Sequence, residues 1–467
     1  MSLLIQNGRI ITATDDFIAD IFVERDKIKL IGANLAINAD AMIDARDRYV
    51  IPGGVDAHTH MDLNVGAATS SDDFETGTIA AAHGGTTTII DFPTQTRGKK
   101  MRAALDAWMK KAEGKAAIDY AFHMIISDLP DDFLPDMDAL VREGITSFKL
   151  FTAYPERLML DDATIFKAMQ RAGENGAFIC MHAENGSVID YLIRKFIAEG
   201  KTTPNFHPLS RPHQVEAEAT HRVIALAEMA RVPVYIVHVS SHFAMEEIRA
   251  ARERGLPVYG ETCPQYLFLA QEDYADGSFD GAKYICSPPI RERANQEPLW
   301  RALAADDLQV VSTDHCPFCF KEGYRGLPKQ KELGKDNFAK IPNGVPGVEN
   351  RMHLLYQGGV VDRGWSMNRF VQLTSAAPAK LFGLYPRKGT IAVGSDADIV
   401  IWDPRKKYTI RAAEHFMRVD YNPYEAMVID GSPAYVIARG RVIFEGDKFV
   451  GKVGAGEFLR RGKSSLI

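Results

Sequence analysis

Two histidines one residue apart, His58 and His60, are the first sign of metal chemistry in this chain. On an extended segment, side chains at i and i+2 share a face, so both imidazoles can reach one cation. Four more residues of ligand or ligand-precursor type follow: Lys149, His182, His238 and Asp314. Each ends, or lies within, a short apolar run. One such residue means little. A buried histidine is usually satisfied by ordinary hydrogen bonds, and Asp314 in Ser312-Thr313-Asp314-His315 reads equally well as a helix cap. Six of them at or near the ends of apolar runs point to a metal centre.

Lys149 sits inside Ser147-Phe148-Lys149-Leu150-Phe151. A cation there is costly to bury, so the amine should lose its proton more readily than usual. Taken alone, a snorkelling lysine or one paired with a carboxylate is the plainer reading. Beside two metal ions, a neutral amine can add carbon dioxide and become a carbamate, a bidentate anionic bridge.

The elements that must position these residues alternate between short strands and helices. Strand candidates fall at 50–56, 86–92, 119–126, 147–151, 177–181, 234–237, 257–260 and 309–312. Helical patterns at 101–113, 161–175 and 215–230 lie between them. Eight strands in this order predict an α/β fold, a (β/α)8 barrel of the TIM type. Its catalytic side chains would come from the C-terminal ends of the strands. A doubly wound sheet is the alternative, but no G-x-G-x-x-G follows an early strand.

The two ends of the chain differ in texture. Segments 3–11 and 20–31 read as strands with a turn at Arg25-Asp26-Lys27. Segments 390–402 and 435–444 do the same, the second broken at Arg439-Gly440. Both termini are expected to build one small β-sandwich, from residues 1–52 and 385–450. The barrel would span 53–384, and a tail 451–467.

A length of 467 residues suits one large catalytic domain and a smaller unit. The formal charge of −6 supplies no reason to expect nucleic acid or an anionic membrane as partner. The first eight residues lack the basic start of a signal peptide, and no stretch reads as a membrane span. Five cysteines, an odd and small number, suggest reduced thiols and a cytoplasmic protein. Cys316-Pro317-Phe318-Cys319 has redox spacing, but two packed thiols are the expectation.

Longer motifs carry a resemblance. Gly53-Gly54-Val55-Asp56-Ala57-His58-Thr59-His60, Asp73-Phe74-Glu75-Thr76-Gly77-Thr78, Gly84-Gly85-Thr86-Thr87, Phe148-Lys149-Leu150-Phe151, His182-Ala183-Glu184-Asn185-Gly186 and His238-Val239-Ser240 resemble the cyclic amidohydrolases. Ser287-Pro288-Pro289, Asp314-His315-Cys316, Ile341-Pro342-Asn343-Gly344 and, in the tail, Gly394-Ser395-Asp396-Ala397-Asp398 extend it to the dihydropyrimidinase/D-hydantoinase branch.

The resemblance implies that His58, His60 and Asp314 hold one divalent metal, His182 and His238 a second, and carboxylated Lys149 bridges them. Zinc is the expected ion, with manganese or cobalt as substitutes. It also implies Tyr154 as an oxyanion donor, with Ser287 and Asn343 holding the imide edge of the substrate. From the residues alone, Tyr154 reads as a packed aromatic, and Ser287 and Asn343 as turn residues. The implied reaction is hydrolytic ring opening of dihydropyrimidines such as 5,6-dihydrouracil, or of 5-substituted hydantoins, to N-carbamoyl amino acids. A hydroxide bridging the two metals would attack, and Asp314 would shuttle the proton. The implied assembly is a homotetramer whose tail reaches a neighbour.

Two stretches depart from many relatives: Met61 to Ala67, bordering the substrate's ring substituent, and the long segment Lys321 to Lys331. A dihydroorotase would carry arginine two residues after the H-x-H, where this chain has Asp62. Allantoinase and single-metal deaminases remain competing chemistries. A non-catalytic scaffold protein of this fold would have lost ligands, and here the set is complete.

Overall fold

The computed structural model describes residues 2–274 and 276–466. Its centre is parallel. One three-stranded sheet contains Gly54–Thr59, Thr86–Asp91 and Asp119–Phe122. A six-stranded sheet runs in order through Met124–Ile125, Ser147–Phe151, Phe178–His182, Val234–Ile236, Val258–Thr262 and Val310–Val311. Every residue of these strands is buried, which is why they read as apolar runs without alternation.

Helices separate the strands. Met101–Ala112 and Asp162–Asn175 match their expected spans closely. Asp161 caps the second by accepting from the Thr164 amide at 2.7 Å, and Gly176 ends it at φ 77°. The protein is therefore α/β, with parallel sheets joined through helices. Among the described residues no helix is long and apolar enough to cross a membrane.

Both termini meet in one nine-stranded sheet. Tyr49–Pro52 lies antiparallel to Ile399–Thr409, pairing Ile401 with Val50, and so stitches the N-terminal strands to the C-terminal ones. Ile5, Ile10, Ile21, Val23, Val50, Ile399, Ile401 and Ile437 form its core.

Three expectations change. The strand expected at 50–56 is divided at Gly53. Its first half joins the terminal sheet and its second half the parallel one. A side chain at Gly53 would place Cβ 2.0 Å from Thr87 Oγ1, so only glycine fits the crossing. The strand expected from residue 390 begins at Ile399. The strand expected at 119–126 is interrupted at His123, a core histidine held by Ser147 Oγ and the Ala57 carbonyl.

The tail packs along its own chain. The Leu459 amide donates to the Tyr120 carbonyl at 2.7 Å, and Arg461 meets the Phe122 carbonyl and Ser147 Oγ. Leu459 joins Phe178, Tyr235, Tyr259 and Phe382 in an apolar cluster inside the parallel strands. Strand ends leave carbonyls unpaired, and this tail supplies donors to them.

Candidate metal centre

Each of the six expected ligand residues leaves a strand at its C-terminal end or projects from one. His58 and Thr59 end the first parallel strand, and His60 follows directly. Lys149 is the third residue of Ser147–Phe151, in register with Cys180, while Phe151 pairs with His182. Period-two alternation puts Lys149, Phe151, Cys180 and His182 on one face. His238 follows Val234–Ile236 and Asp314 follows Val310–Val311. The Asp314 amide donates to the His58 carbonyl at 2.9 Å, and the His60 amide to the His315 carbonyl at 2.9 Å. Those two bonds draw the last strand's end against the first.

All six side chains converge. His58 Nε2 lies 3.2 Å from His60 Nε2, 2.8 Å from Lys149 Nζ and 3.2 Å from Asp314 Oδ1. His60 Nε2 is 3.0 Å from the same carboxylate oxygen. His182 Nδ1 faces His238 Nε2 at 2.9 Å. His58, His238 and Asp314 each offer a ligand atom, all within 4.8 Å of one another. His238 and Asp314 hold φ of 41° and 52°, a left-handed backbone uncommon outside glycine and concentrated at functional sites.

The electrostatics suit cations. Burial pushes His58 and His238 well below the ordinary histidine range, with Lys149 adding to both, so their imidazoles are neutral. Burial likewise lowers Lys149, which is wholly enclosed and lies 4.4 Å from the centre of the Phe92 ring. Burial raises Asp314, but His58, His60 and Lys149 outweigh it and leave the carboxyl well below its usual value.

Two carboxylates that sequence reasoning did not assign complete the arrangement. Glu261, at the end of Val258–Thr262, accepts from His58 Nδ1 at 2.5 Å, from the Tyr235 hydroxyl at 2.9 Å and from the His238 amide at 3.2 Å. Glu184 meets His182 Nε2 at 2.8 Å and Arg211 Nη1 at 2.8 Å. Burial alone would raise Glu184, but Arg211 and His182 outweigh it and hold it at about 2. By engaging one ring nitrogen, Glu261 and Glu184 turn the lone pair of the other toward the centre, as metal-binding histidines require. The signal was present in the sequence. Glu261 stands one residue beyond the expected strand 257–260, and Glu184 two residues beyond His182.

The donor set therefore fits divalent metals: four imidazole nitrogens, an amine and a carboxylate, whose inward-facing atoms are partnered among the described residues only by one another. The five cysteines are free, buried thiols, with Cys319 pushed up to about 12 by burial.

A cavity of about 910 Å³ opens above this cluster, lined by His60, Lys149, His182, His238 and Asp314 at its floor. Tyr154, Ser287 and Asn343 line its wall. Asn343 Nδ2 donates to Ser287 Oγ at 2.9 Å, and the Tyr154 phenol also bonds Ser287. Tyr154 has φ 65°, again left-handed, and burial keeps its phenol protonated. Leu63, Val65, Phe151 and Leu158 supply an apolar side, and the departing loop after His60 is part of it.

Comparison with known proteins places these features. The model of the amidohydrolase family matches residues 49–443. The chain is 51% identical over 463 residues to a protein named D-hydantoinase from Streptomyces coelicolor, covering 98% of this chain and 97% of the relative. It is 48% identical to a D-hydantoinase from Geobacillus stearothermophilus, covering 100% of this chain and 98% of that one. The crystal structure of a dihydropyrimidinase from Brevibacillus agri superposes with a TM-score of 0.97 at 48% identity, covering 99% of both chains.

Proposed function

This chain belongs to the amidohydrolase family and is a metal-dependent cyclic amidohydrolase, and from that premise we propose its substrates and the role of each site residue. The substrates are 5-substituted hydantoins, taken in the D configuration, and dihydropyrimidines such as 5,6-dihydrouracil. Each ring opens to an N-carbamoyl amino acid. The observation that carries this reading is the meeting of six ligand-type groups beneath a cavity walled by Tyr154, Ser287 and Asn343.

His58, His60 and Asp314 would hold one divalent ion and His182 and His238 another, with Lys149 as a carbamate between them. Zinc is the ion this nitrogen and oxygen set suits best. Lys149 has the surroundings that keep its amine neutral and able to react: buried aromatic rings at 4.4 Å and 5.2 Å, and no carboxylate within ion-pair distance among the described residues. When bound, the two ions supply Lewis acidity and an acidic water near neutral pH.

The chain's own groups do the rest. Asn343 and Ser287 hold the imide edge of the ring. The Tyr154 phenol donates to the oxygen that gains charge as the carbonyl carbon becomes tetrahedral. Asp314 takes the proton of the attacking water and passes it to the ring nitrogen. A carbon–oxygen bond forms, the carbon–nitrogen bond breaks, and the nitrogen leaves protonated. The apolar side at Leu63, Val65, Phe151 and Leu158 receives the ring substituent.

The same reading takes the parallel strands as one closed (β/α)8 barrel over 53–384. The bridge between Thr59 and His315 and the continuity of Asp119–Phe122 into Met124–Ile125 support closure. It takes the terminal sheet, from 1–52 and 385–450, as a curled β-sandwich. It takes the assembly as a homotetramer, in keeping with Val188 and Tyr191 exposed on helix Gly186–Ala198. Five free, buried thiols suit a cytoplasmic location.

The test is purification without added metal, elemental analysis, and assay on hydantoin, 5,6-dihydrouracil, allantoin and paired D and L 5-substituted hydantoins. Two metals per chain and faster opening of the D substrates are expected. A metal-replete preparation inert towards all of them refutes the proposal.

A further inference from the structure

Lys331 lies in the long segment 321–331, outside every role assigned above. Its side chain is wholly buried, and its ammonium points at three main-chain carbonyls: Gly344 at 2.8 Å, Pro342 at 2.9 Å and Ile285 at 3.3 Å. Among the described residues no carboxylate pairs with it. Its nearest titratable neighbours are the thiols of Cys286 and Cys316. Burial lowers this amine to about 7, and a buried polar group without a counter-ion costs more than an apolar side chain of the same shape, so filling space does not explain it.

The three carbonyls share one property. Ile285 stands two residues before Ser287, and Pro342 and Gly344 flank Asn343. These are the two loops that face the cavity with the groups expected to grip the substrate. They are bonded to each other twice, by the Gly344 amide on the Ile285 carbonyl at 2.9 Å and by Asn343 Nδ2 on Ser287 Oγ at 2.9 Å. An ammonium has three N–H donors, and here each has its acceptor. We propose that Lys331 is a positioning residue that clamps the Ser287 and Asn343 loops in register from beneath, and so sets how tightly the site holds the imide edge of a cyclic substrate. This rests on the functional reading above.

Removing the ammonium leaves the buried Pro342 and Gly344 carbonyls without a donor and Ile285 with the Gly344 amide alone, and the loops part to reach water or other partners. The ligand residues belong to other segments and keep their places, while Tyr154 loses at most its bond to Ser287. Grip on the imide edge therefore weakens while the metal centre stays intact.

The experiment compares wild type with Lys331→Met, which keeps the length and removes the charge, using unsubstituted hydantoin as substrate. Acetohydroxamate, a small metal chelator without an imide edge, serves as the probe of the metal centre. The expected result is a KM raised about ten-fold, kcat within about three-fold, and unchanged metal content and acetohydroxamate inhibition constant. Should Lys331→Met fail to fold, Lys331→Gln retains two donors and shows the same split at smaller amplitude. An unchanged KM in a folded variant, or a parallel rise in the acetohydroxamate constant, overturns the role. Failure of both variants to fold also overturns it, because the lysine would then hold the protein together and not the cradle. A wild type inert towards hydantoin removes the functional reading, and this role with it. An active wild type beside a variant of normal KM removes the role alone.

Discussion

Replacing Glu261 by glutamine keeps the shape of the side chain and turns one of the two acceptor oxygens that orient His58 into a donor. The carboxylate receives three donors: His58 Nδ1, the Tyr235 hydroxyl and the His238 amide. Glutamine has one acceptor oxygen and a donor NH2 in place of the second. Either a donor loses its acceptor, or His58 changes tautomer and places a proton on Nε2, the atom that faces His60, Lys149 and Asp314. Loss of such an outer partner lowers metal affinity by about 10–100-fold, roughly 1.4–2.7 kcal/mol. The metal-free protein should behave differently. The amide escapes the desolvation of a buried carboxylate, which offsets its poorer hydrogen bonds, so unfolding stability should stay within about 1 kcal/mol of wild type. Zinc titration of chelator-stripped protein against a competing chromophoric chelator measures the first effect, and thermal unfolding of the same sample the second. Unchanged zinc affinity refutes the orienting role. A metal-free variant weaker by several kcal/mol shows that Glu261 holds the strands together instead.

Other expectations follow from the same geometry. Asp314→Asn should cut ring opening by about 10²–10⁴-fold while most of the metal stays bound, read by N-carbamoyl product and elemental analysis; near-normal turnover removes Asp314 from proton transfer. Protein grown with ¹³C-bicarbonate should show a carbamate carbon signal that Lys149→Ala lacks, and its absence from active wild type removes the bridging carbamate. Burial would lower His83, but Asp447 and Glu349 (2.7 Å) overcome it and raise the imidazole to about 9. Because the folded value exceeds the unfolded one, this contribution is complete below about 6.5 and is lost as pH rises through 9. Its full extent is about 3 kcal/mol. Denaturant unfolding of wild type should weaken across that window, and His83→Gln should flatten the slope; identical slopes refute the pairing.

Much of this protein is legible in its residues. Strands buried on both faces must be nearly all apolar, so Ser147–Phe151 and Phe178–His182 stand out, and so do the polar residues that interrupt or end them. An i, i+2 histidine pair on a strand states its own geometry. These local rules located the α/β alternation and named six groups that the fold then drew together.

What they leave open is everything decided between distant segments. No local pattern says that the strand through Gly53 serves two sheets, because the reason is the Thr87 side chain across the gap. None says that Glu261 and Glu184 turn the histidines, since a carboxylate after a strand has the same sequence whether it faces water or an imidazole. Lys331 is the extreme case. In the chain it is one more lysine in a charged loop, and only the packing of two remote turns around it makes its ammonium a donor to Ile285, Pro342 and Gly344. Composition and periodicity act within a few residues, while burial and the satisfaction of polar groups are settled by whatever the fold brings alongside.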